Sequence, residues 1–394
     1  MDTWDIVVVG AGIAGVSAVR TIAEDGSHRV LLVNGERNPP YKRTRLSKAI
    51  ASGFSPADHL LEPAEWYETN GVTLRTGTSV DEIVPADRTV RLSDGTVHRY
   101  ESLILATGSD PLYPQTVRPH ETDSFFVVRS EADIERLTAA AATANRILID
   151  GMGVLAVEVA AELRSMDKHV TLVGATPQVM PRHLNTRAAE IMEDLLRANS
   201  VELRFQEEIL SFEPRTKGGF SVSMIRESGA YDMIVFCIGV APRVALARAA
   251  GLEVGLGIVV DEHLRTSDPH IFAAGDCAEH SGGHVTDLWH AAEYQGTVAA
   301  RNAVGKRVVF DNRAFRLKCE VFGAYFFSAN KPRIPLEYGI EERELDSVYQ
   351  CFYFRGDELY GAIMVNDKER AKEYEHAVRD RWSRVRVIDV FIES

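Results

Sequence analysis

Cysteine is scarce in this chain of 394 residues, with only Cys237, Cys277, Cys319 and Cys351 present. They lie far apart in the sequence, which excludes a CxxC or CxxxxC redox pair and the clustered spacing of a zinc site. An excess of basic residues is also lacking. The 44 Lys and Arg are outnumbered by 57 Asp and Glu, for a formal charge of −13. Sequence-independent nucleic-acid binding, which neutralises phosphates with clustered cations, is thereby excluded. No apolar run approaches the ~18–20 residues needed to cross a bilayer. No low-complexity or Pro/Ser-rich linker interrupts the chain. Its first residues, Met1-Asp2-Thr3-Trp4-Asp5, carry acids and lead into an apolar run, so no signal peptide is expected. A cytoplasmic protein with reduced thiols is the expectation. What remains is ordinary globular composition, 45% hydrophobic and 26% charged, in a length suited to two or three domains at ~100–200 residues each.

The first apolar run, residues 6–9, reads as a buried strand. It breaks into Gly10-Ala11-Gly12-Ile13-Ala14-Gly15, followed by a helical pattern to about Glu24 and a second strand at 30–33. Glu36 stands just beyond. This is a strand–helix–strand unit with a G-x-G-x-x-G turn and an acid about 20 residues on, the pattern of a dinucleotide site. Its glycines allow a tight turn, close approach of a pyrophosphate and close helix packing, while the helix N-terminus faces the phosphates.

The pattern recurs. A strand at 146–150 runs into Gly151-Met152-Gly153-Val154-Leu155-Ala156, a helix reaches about Arg164, and a strand follows at 169–173. Ala156 replaces the third glycine, a substitution that the demand for a small residue permits. Two such units imply two dinucleotides.

Shorter strands surround these units. Residues 89–92 and 96–98 read as a hairpin through Asp94-Gly95, 103–106 as a short buried strand, and 233–238 as another. From about Asp311 the pattern alternates, at 318–322 and 348–354, before an amphipathic stretch at 368–379. The expected fold is α/β. Two Rossmann-like domains, one inserted in the other, occupy 1–110 with 233–308 and 111–232, and an α+β domain occupies 309–394.

Four further motifs accompany the glycine turns: Pro40-Tyr41-Lys42-Arg43-Thr44-Arg45-Leu46-Ser47-Lys48, Ala106-Thr107-Gly108, Gly239-Val240-Ala241-Pro242, and Ile271-Phe272-Ala273-Ala274-Gly275-Asp276-Cys277-Ala278. In kind, order and spacing the chain resembles the FAD-dependent pyridine nucleotide-disulfide oxidoreductase superfamily. Within it, the likeness is to ferredoxin and rubredoxin NAD(P)H reductases that lack a redox disulfide. The segment Leu317-Lys318-Cys319-Glu320-Val321-Phe322-Gly323 is similar to their C-terminal domain.

The resemblance implies an FAD site with Gly10, Gly12 and Gly15 at the pyrophosphate, Glu36 at the adenosine ribose, and Arg43 along the cofactor. It adds Asp276 at the ribityl or pyrophosphate region of that site, and Ala106, Thr107, Gly108, Gly239 and Gly275 as cofactor-binding residues. Taken alone, Asp276 reads equally as a helix cap. His290 would open a helix aimed at the flavin, as a packing contact rather than a proton carrier. Lys48 and Glu158 would converge on the atom of the flavin that takes up hydride; without the resemblance they read as two surface charges. NADH or NADPH would occupy the second unit, held by Gly151, Gly153 and Ala156. Its second strand ends in Gly174-Ala175-Thr176, offering neither an acid for NADH nor a cation for NADPH, with Arg182 the nearest cation. The nucleotide preference therefore stays open.

Without a cysteine pair, electrons leave the flavin directly. The acceptor that the resemblance implies is a ferredoxin- or rubredoxin-type carrier. Alternatives are oxygen or a small molecule and, from another class, a flavin-based redox sensor. Arg379, Arg381, Arg384 and Arg386 around Trp382 read either as a docking face for an acidic carrier or as a solvated charged face. His280 and His284 sit four apart, but the glycines between them argue against a helix and a metal site. No membrane partner is expected, and a monomer or homodimer is.

Overall fold

The computed structural model describes residues 1–26, 28–117, 124–216, 218–311 and 315–393. The chain forms two compact units. One comprises Met1–Arg45, Ser55–Asp110 and Val240–Asn312, the other Leu46–Phe54, Pro111–Gly239 and Arg313–Ser394.

The first unit is built on a seven-stranded sheet. Its order is Val72–Thr76, Val30–Asn34, Asp2–Val9, Val97–Leu105, Thr89–Leu92 and Val80–Val84, with Ile271–Ala273 also on Val97–Leu105. The two short strands expected at 96–98 and 103–106 are one nine-residue strand. Its lower half alternates buried and exposed and pairs antiparallel with Thr89–Leu92 across the Asp94-Gly95 turn. Its upper half is buried on both faces, between the parallel strands Asp2–Val9 and Ile271–Ala273. The change from alternating to continuous hydrophobicity marks where a half-exposed stretch, antiparallel to one neighbour and parallel to the other, becomes a fully covered parallel sheet. Read locally, it looks like a break.

Helix Ile13–Asp25 buries Ala14, Gly15, Val16, Ala18, Val19 and Ile22, and it packs against helix Trp289–Ala303. Small residues at the crossing let the two backbones come close. A Cβ on Gly296 would stand 2.1 Å from the Ala14 carbonyl oxygen.

The second unit holds a four-stranded parallel sheet ordered Val201–Phe205, His169–Gly174, Arg146–Asp150 and Met233–Phe236. Met233–Phe236 thus pairs inside this unit, and the chain returns to the first unit only after Gly239, later than the expected 233. That strand also stops short of Ile238, which is exposed. A five-stranded antiparallel sheet follows, in the order Arg316–Val321, Ala324–Ala329, Glu358–Val365, Val348–Arg355 and Gly339–Leu345. Phe327, Phe352, Phe354, Tyr374 and Phe391 form its core beneath helix Ala371–Arg379. Among the described residues no helix is long and apolar enough to cross a membrane.

Candidate dinucleotide sites

In the first unit the turn after strand Asp2–Val9 is confined by backbone on every side but one. Gly10 has φ +103°, and a Cβ there would lie 2.2 Å from the Ala106 carbonyl oxygen; one on Gly15 would lie 1.9 Å from the Gly10 carbonyl oxygen. Gly12 is the open side, with nothing among the described residues within 4 Å of its Cβ position. It is also the N-cap of helix Ile13–Asp25, where no side chain caps the first amides and no acid stands in the first turn. An uncapped, unobstructed helix N-terminus carries partial positive charge and free donors, which fits a pyrophosphate.

Glu36 lies just beyond the second strand. Its carboxylate accepts from the Arg43 guanidinium and, at 2.6 Å, from the Tyr41 hydroxyl. Arg43 also lies over the Tyr41 ring, 5.3 Å from its centroid. The two residues that the resemblance places along the FAD are thus paired with each other. Ala106-Thr107-Gly108 is tied to the returning segment: the Thr107 hydroxyl donates to the Arg243 carbonyl at 2.9 Å, and the Arg243 amide donates to the Gly108 carbonyl at 2.9 Å. The Asp276 carboxylate accepts from the Ser109 hydroxyl at 2.8 Å, and the Gly275 amide donates to the buried Gln295 side chain at 2.6 Å. His290 is the second residue of its helix, with Nδ1 3.4 Å from a Glu293 carboxylate oxygen. Cys277 is fully buried against the Leu105 and Ala274 carbonyls; burial pushes its thiol pKa up, so it serves as a packing residue.

In the second unit Gly153 caps helix Val154–Ser165 with no side-chain hydrogen bond, and nothing among the described residues lies within 4 Å of its Cβ position. Ala156 is fully buried, as a residue packing helix on sheet requires. Gly239 follows strand Met233–Phe236, with φ +121°, and its carbonyl accepts from the Leu112 amide at 3.0 Å. This cradle, like the first, fits a pyrophosphate.

Asp150, the last residue of its strand, stands beside Gly151. Burial, with Glu208 nearby, pushes its carboxyl pKa up to about 7. Between the unfolded value of about 4 and this folded value, the folded chain holds more protons than the unfolded one. This contribution to stability is therefore complete at acid pH and lost as pH rises through about 7. Asp150→Asn should remove that loss. We expect the apparent Tm advantage of the variant over wild type to be larger near pH 8 than near pH 5, by about 5 °C. Equal differences at both pH values in a thermal-melt series would contradict the assignment.

Lys48 and Glu158 meet within the second unit. Lys48 Nζ lies 3.7 Å from Glu158 Oε1, and the Ser47 hydroxyl donates to Oε2 at 2.6 Å. The segment carrying Lys48 is pinned to this unit because the Ala51 amide donates to Glu162 at 3.2 Å and the Thr138 hydroxyl to the Ile50 carbonyl at 3.1 Å. The Glu158 side chain is only 13% exposed. Burial raises its pKa, opposed by the Ser47 hydrogen bond and by Lys48. Together with Glu162, Arg164, Asn199 and Glu320, the pair lines a cavity of about 570 Å³.

Ser47, Ser109 and Gln295 contact the candidate residues Glu158, Asp276 and Gly275, which their sequence positions do not reveal; each meets its partner from a distant point in the chain. Glu162 was missed as well, although its place one helical turn from Glu158 is a signal the sequence carries. Of the two readings left open for the arginines around Trp382, the mixed charged face has the ion pairs on its side. Arg379 pairs with Asp380 at 2.8 Å, Arg381 with Glu358 at 3.7 Å and Arg384 with Glu341 at 3.6 Å, while Arg386 stacks on Trp382. His280 is stacked on Phe310 at 4.6 Å, and the described residues contain no cluster of three metal-ligating side chains.

The family model described as pyridine nucleotide-disulphide oxidoreductase matches residues 4–296. A terpredoxin reductase of Pseudomonas sp is 35% identical over 305 residues, covering 75% of this chain and 74% of the relative. A rubredoxin-NAD(+) reductase of Ectopseudomonas oleovorans is 34% identical over 278 residues, 69% and 71% of the two chains. The crystal structure of a covalent putidaredoxin reductase–putidaredoxin complex superimposes with a TM-score of 0.87 at 27% identity, covering 97% of this chain and 94% of that one.

Proposed function

Because this chain belongs to the pyridine nucleotide-disulphide oxidoreductase family, we propose that it is an FAD-dependent reductase that takes hydride from NADH or NADPH and delivers electrons to a small iron–sulfur carrier of the ferredoxin or rubredoxin type. The observation that carries this reading is the pair of glycine cradles, one in each unit, each opening on a helix N-terminus that no side chain caps. One dinucleotide fits each. Gly10, Gly12, Gly15, Glu36, Asp276 and their partners would hold FAD; Gly151, Gly153 and Ala156 would hold the nicotinamide nucleotide. FAD, when bound, supplies the conversion of a two-electron hydride donor into single electrons for a carrier.

No electron-storing role is assigned to the cysteines, which are free and far apart in the sequence. The reductases of terpredoxin, rubredoxin and putidaredoxin among its relatives support a protein carrier as acceptor. A cytoplasmic location accords with free thiols and a supply of NAD(P)H.

The purified protein should therefore be yellow, with one FAD per chain, and anaerobic dithionite titration should consume two electron equivalents. A requirement for four equivalents with a thiolate–flavin charge-transfer band would place a redox disulfide in the chain. A folded protein unable to take up FAD would remove the reading altogether.

A further inference from the structure

In the second unit the strand His169–Gly174 ends on glycine, where an acid that hydrogen-bonds the adenosine ribose 2′-hydroxyl commonly stands. A neighbouring side chain accounts for the glycine. Gly174 is buried, and a Cβ on it would fall 2.7 Å from Met152 Cγ; its next neighbours, Met152 Cβ and the Gly151 carbonyl carbon, are at an ordinary 3.7 Å. Met152 is the middle residue of Gly151-Met152-Gly153 and is only 5% exposed.

Neither backbone is free to retreat. The Met152 carbonyl accepts from the Met180 amide at 2.7 Å, and the Gly151 amide donates to the Val173 carbonyl at 2.8 Å. On the other side the Gly174 carbonyl accepts from the Glu207 amide at 3.1 Å. A side chain at 174 can therefore be accommodated only by moving that of Met152, which is already packed inside the turn. The Thr176 hydroxyl, two residues on, is engaged by the Gln178 carbonyl at 2.9 Å.

We propose that Met152 is the specificity-determining residue of this site: its side chain occupies the room that a ribose-binding acid at 174 would need. It thereby leaves the strand end without the carboxylate that would favour NAD(H) over NADP(H). This rests on the reading of the second unit as the nicotinamide-nucleotide site. An acid can be grafted onto the strand end only if Met152 is removed at the same time.

The test compares four FAD-loaded proteins: wild type, Gly174→Glu, Met152→Gly and the double variant. The readouts are apparent Tm and calorimetric Kd for NAD+ and NADP+, which bind without turnover. Gly174→Glu alone should lower Tm by about 2–10 °C and weaken both nucleotides. The double variant should recover the Tm of Met152→Gly and shift the Kd ratio towards NAD+ by about ten-fold or more, the worth of a hydrogen bond to a charged group.

If Gly174→Glu does not fold, Gly174→Ala adds only the Cβ, and its loss of Tm should be relieved by Met152→Ala. The proposal is overturned if Gly174→Glu by itself is as stable and as NAD+-selective as the double variant, or if removing Met152 rescues neither pair. If none of the proteins binds either nucleotide, the reading of the second unit fails instead.

Discussion

Gly15→Ala is expected to yield a protein that no longer retains FAD. The added methyl would lie 1.9 Å from the Gly10 carbonyl oxygen and 3.1 Å from its carbon, both backbone atoms of a buried turn. Helix Ile13–Asp25 cannot move away to relieve this, because on its other side Gly296 of helix Trp289–Ala303 already approaches the Ala14 carbonyl with no room for a Cβ. Gly10 cannot shift either, since its own Cα faces the Ala106 carbonyl and its φ of +103° disfavours other residues. Overpacking of this kind costs about 1–3 kcal/mol or more. Here it acts on the turn that would cradle the pyrophosphate, so retention should be lost before the fold is.

Gly12→Ala is the informative control. Nothing among the described residues lies within 4 Å of its Cβ position, and its φ is an ordinary −71°. The apo-protein should keep its Tm, while the methyl projects into the space needed by the phosphates and weakens FAD by about ten-fold or more. FAD content after gel filtration, with Tm of the apo-protein, separates the two variants. Unchanged FAD affinity in Gly12→Ala would mean that the pyrophosphate does not lie at this helix end.

The second large effect concerns Lys48 and Glu158, which we propose act on reduction of the bound flavin rather than on its retention. Lys48→Met leaves Glu158 buried without its cation, and a preorganised charge serving electron uptake is worth roughly 2.7–4 kcal/mol where it is a main stabiliser. Glu158 partly neutralises Lys48 at 3.7 Å, so a slowing of about ten-fold or more is expected. Glu158→Gln should also change the rate, and the double variant should be non-additive because the two charges act as one unit.

Ser47→Ala tests the geometry from another side. Its hydroxyl donates to Glu158 and favours the charged carboxylate, so its loss should raise the pKa of Glu158 further and move the pH profile of reduction upwards. Anaerobic stopped-flow reduction at saturating NAD(P)H, with FAD content checked for every variant, provides the measurement. If neither single variant changes the rate, the catalytic assignment falls while the FAD-binding reading stands.

Both glycine turns, their flanking strands and helices, the acid at 36 and the lack of a cysteine pair were legible in the sequence, because each depends on residues close together in the chain. A strand buried on both faces reads as a continuous apolar run, and a helix that must approach its neighbour closely reads as small residues at helical spacing. Such signals need no partner to be recognised. The strand Val97–Leu105 was not legible as one element, since its two halves face different surroundings and so carry two different patterns. The membership of Met233–Phe236 in the second sheet likewise follows from pairing with Arg146–Asp150, more than eighty residues earlier in the chain.

Tertiary structure alone decided how the charged and packed groups meet. Ser47 finds Glu158 across 111 residues of chain, and Ser109 finds Asp276 across 167. Arg381 and Arg384 are matched with acids on other elements, which turns an apparent basic face into a mixed one. Gly174 shows the division within one residue. The sequence by itself determined that no carboxylate stands at that strand end; only the fold placed Met152 Cγ where the missing side chain would begin. The physical reason is range. Backbone conformation and hydrophobic period are set by neighbours within a few residues, whereas steric exclusion and charge pairing depend on which distant segments the packed chain brings within a few ångströms.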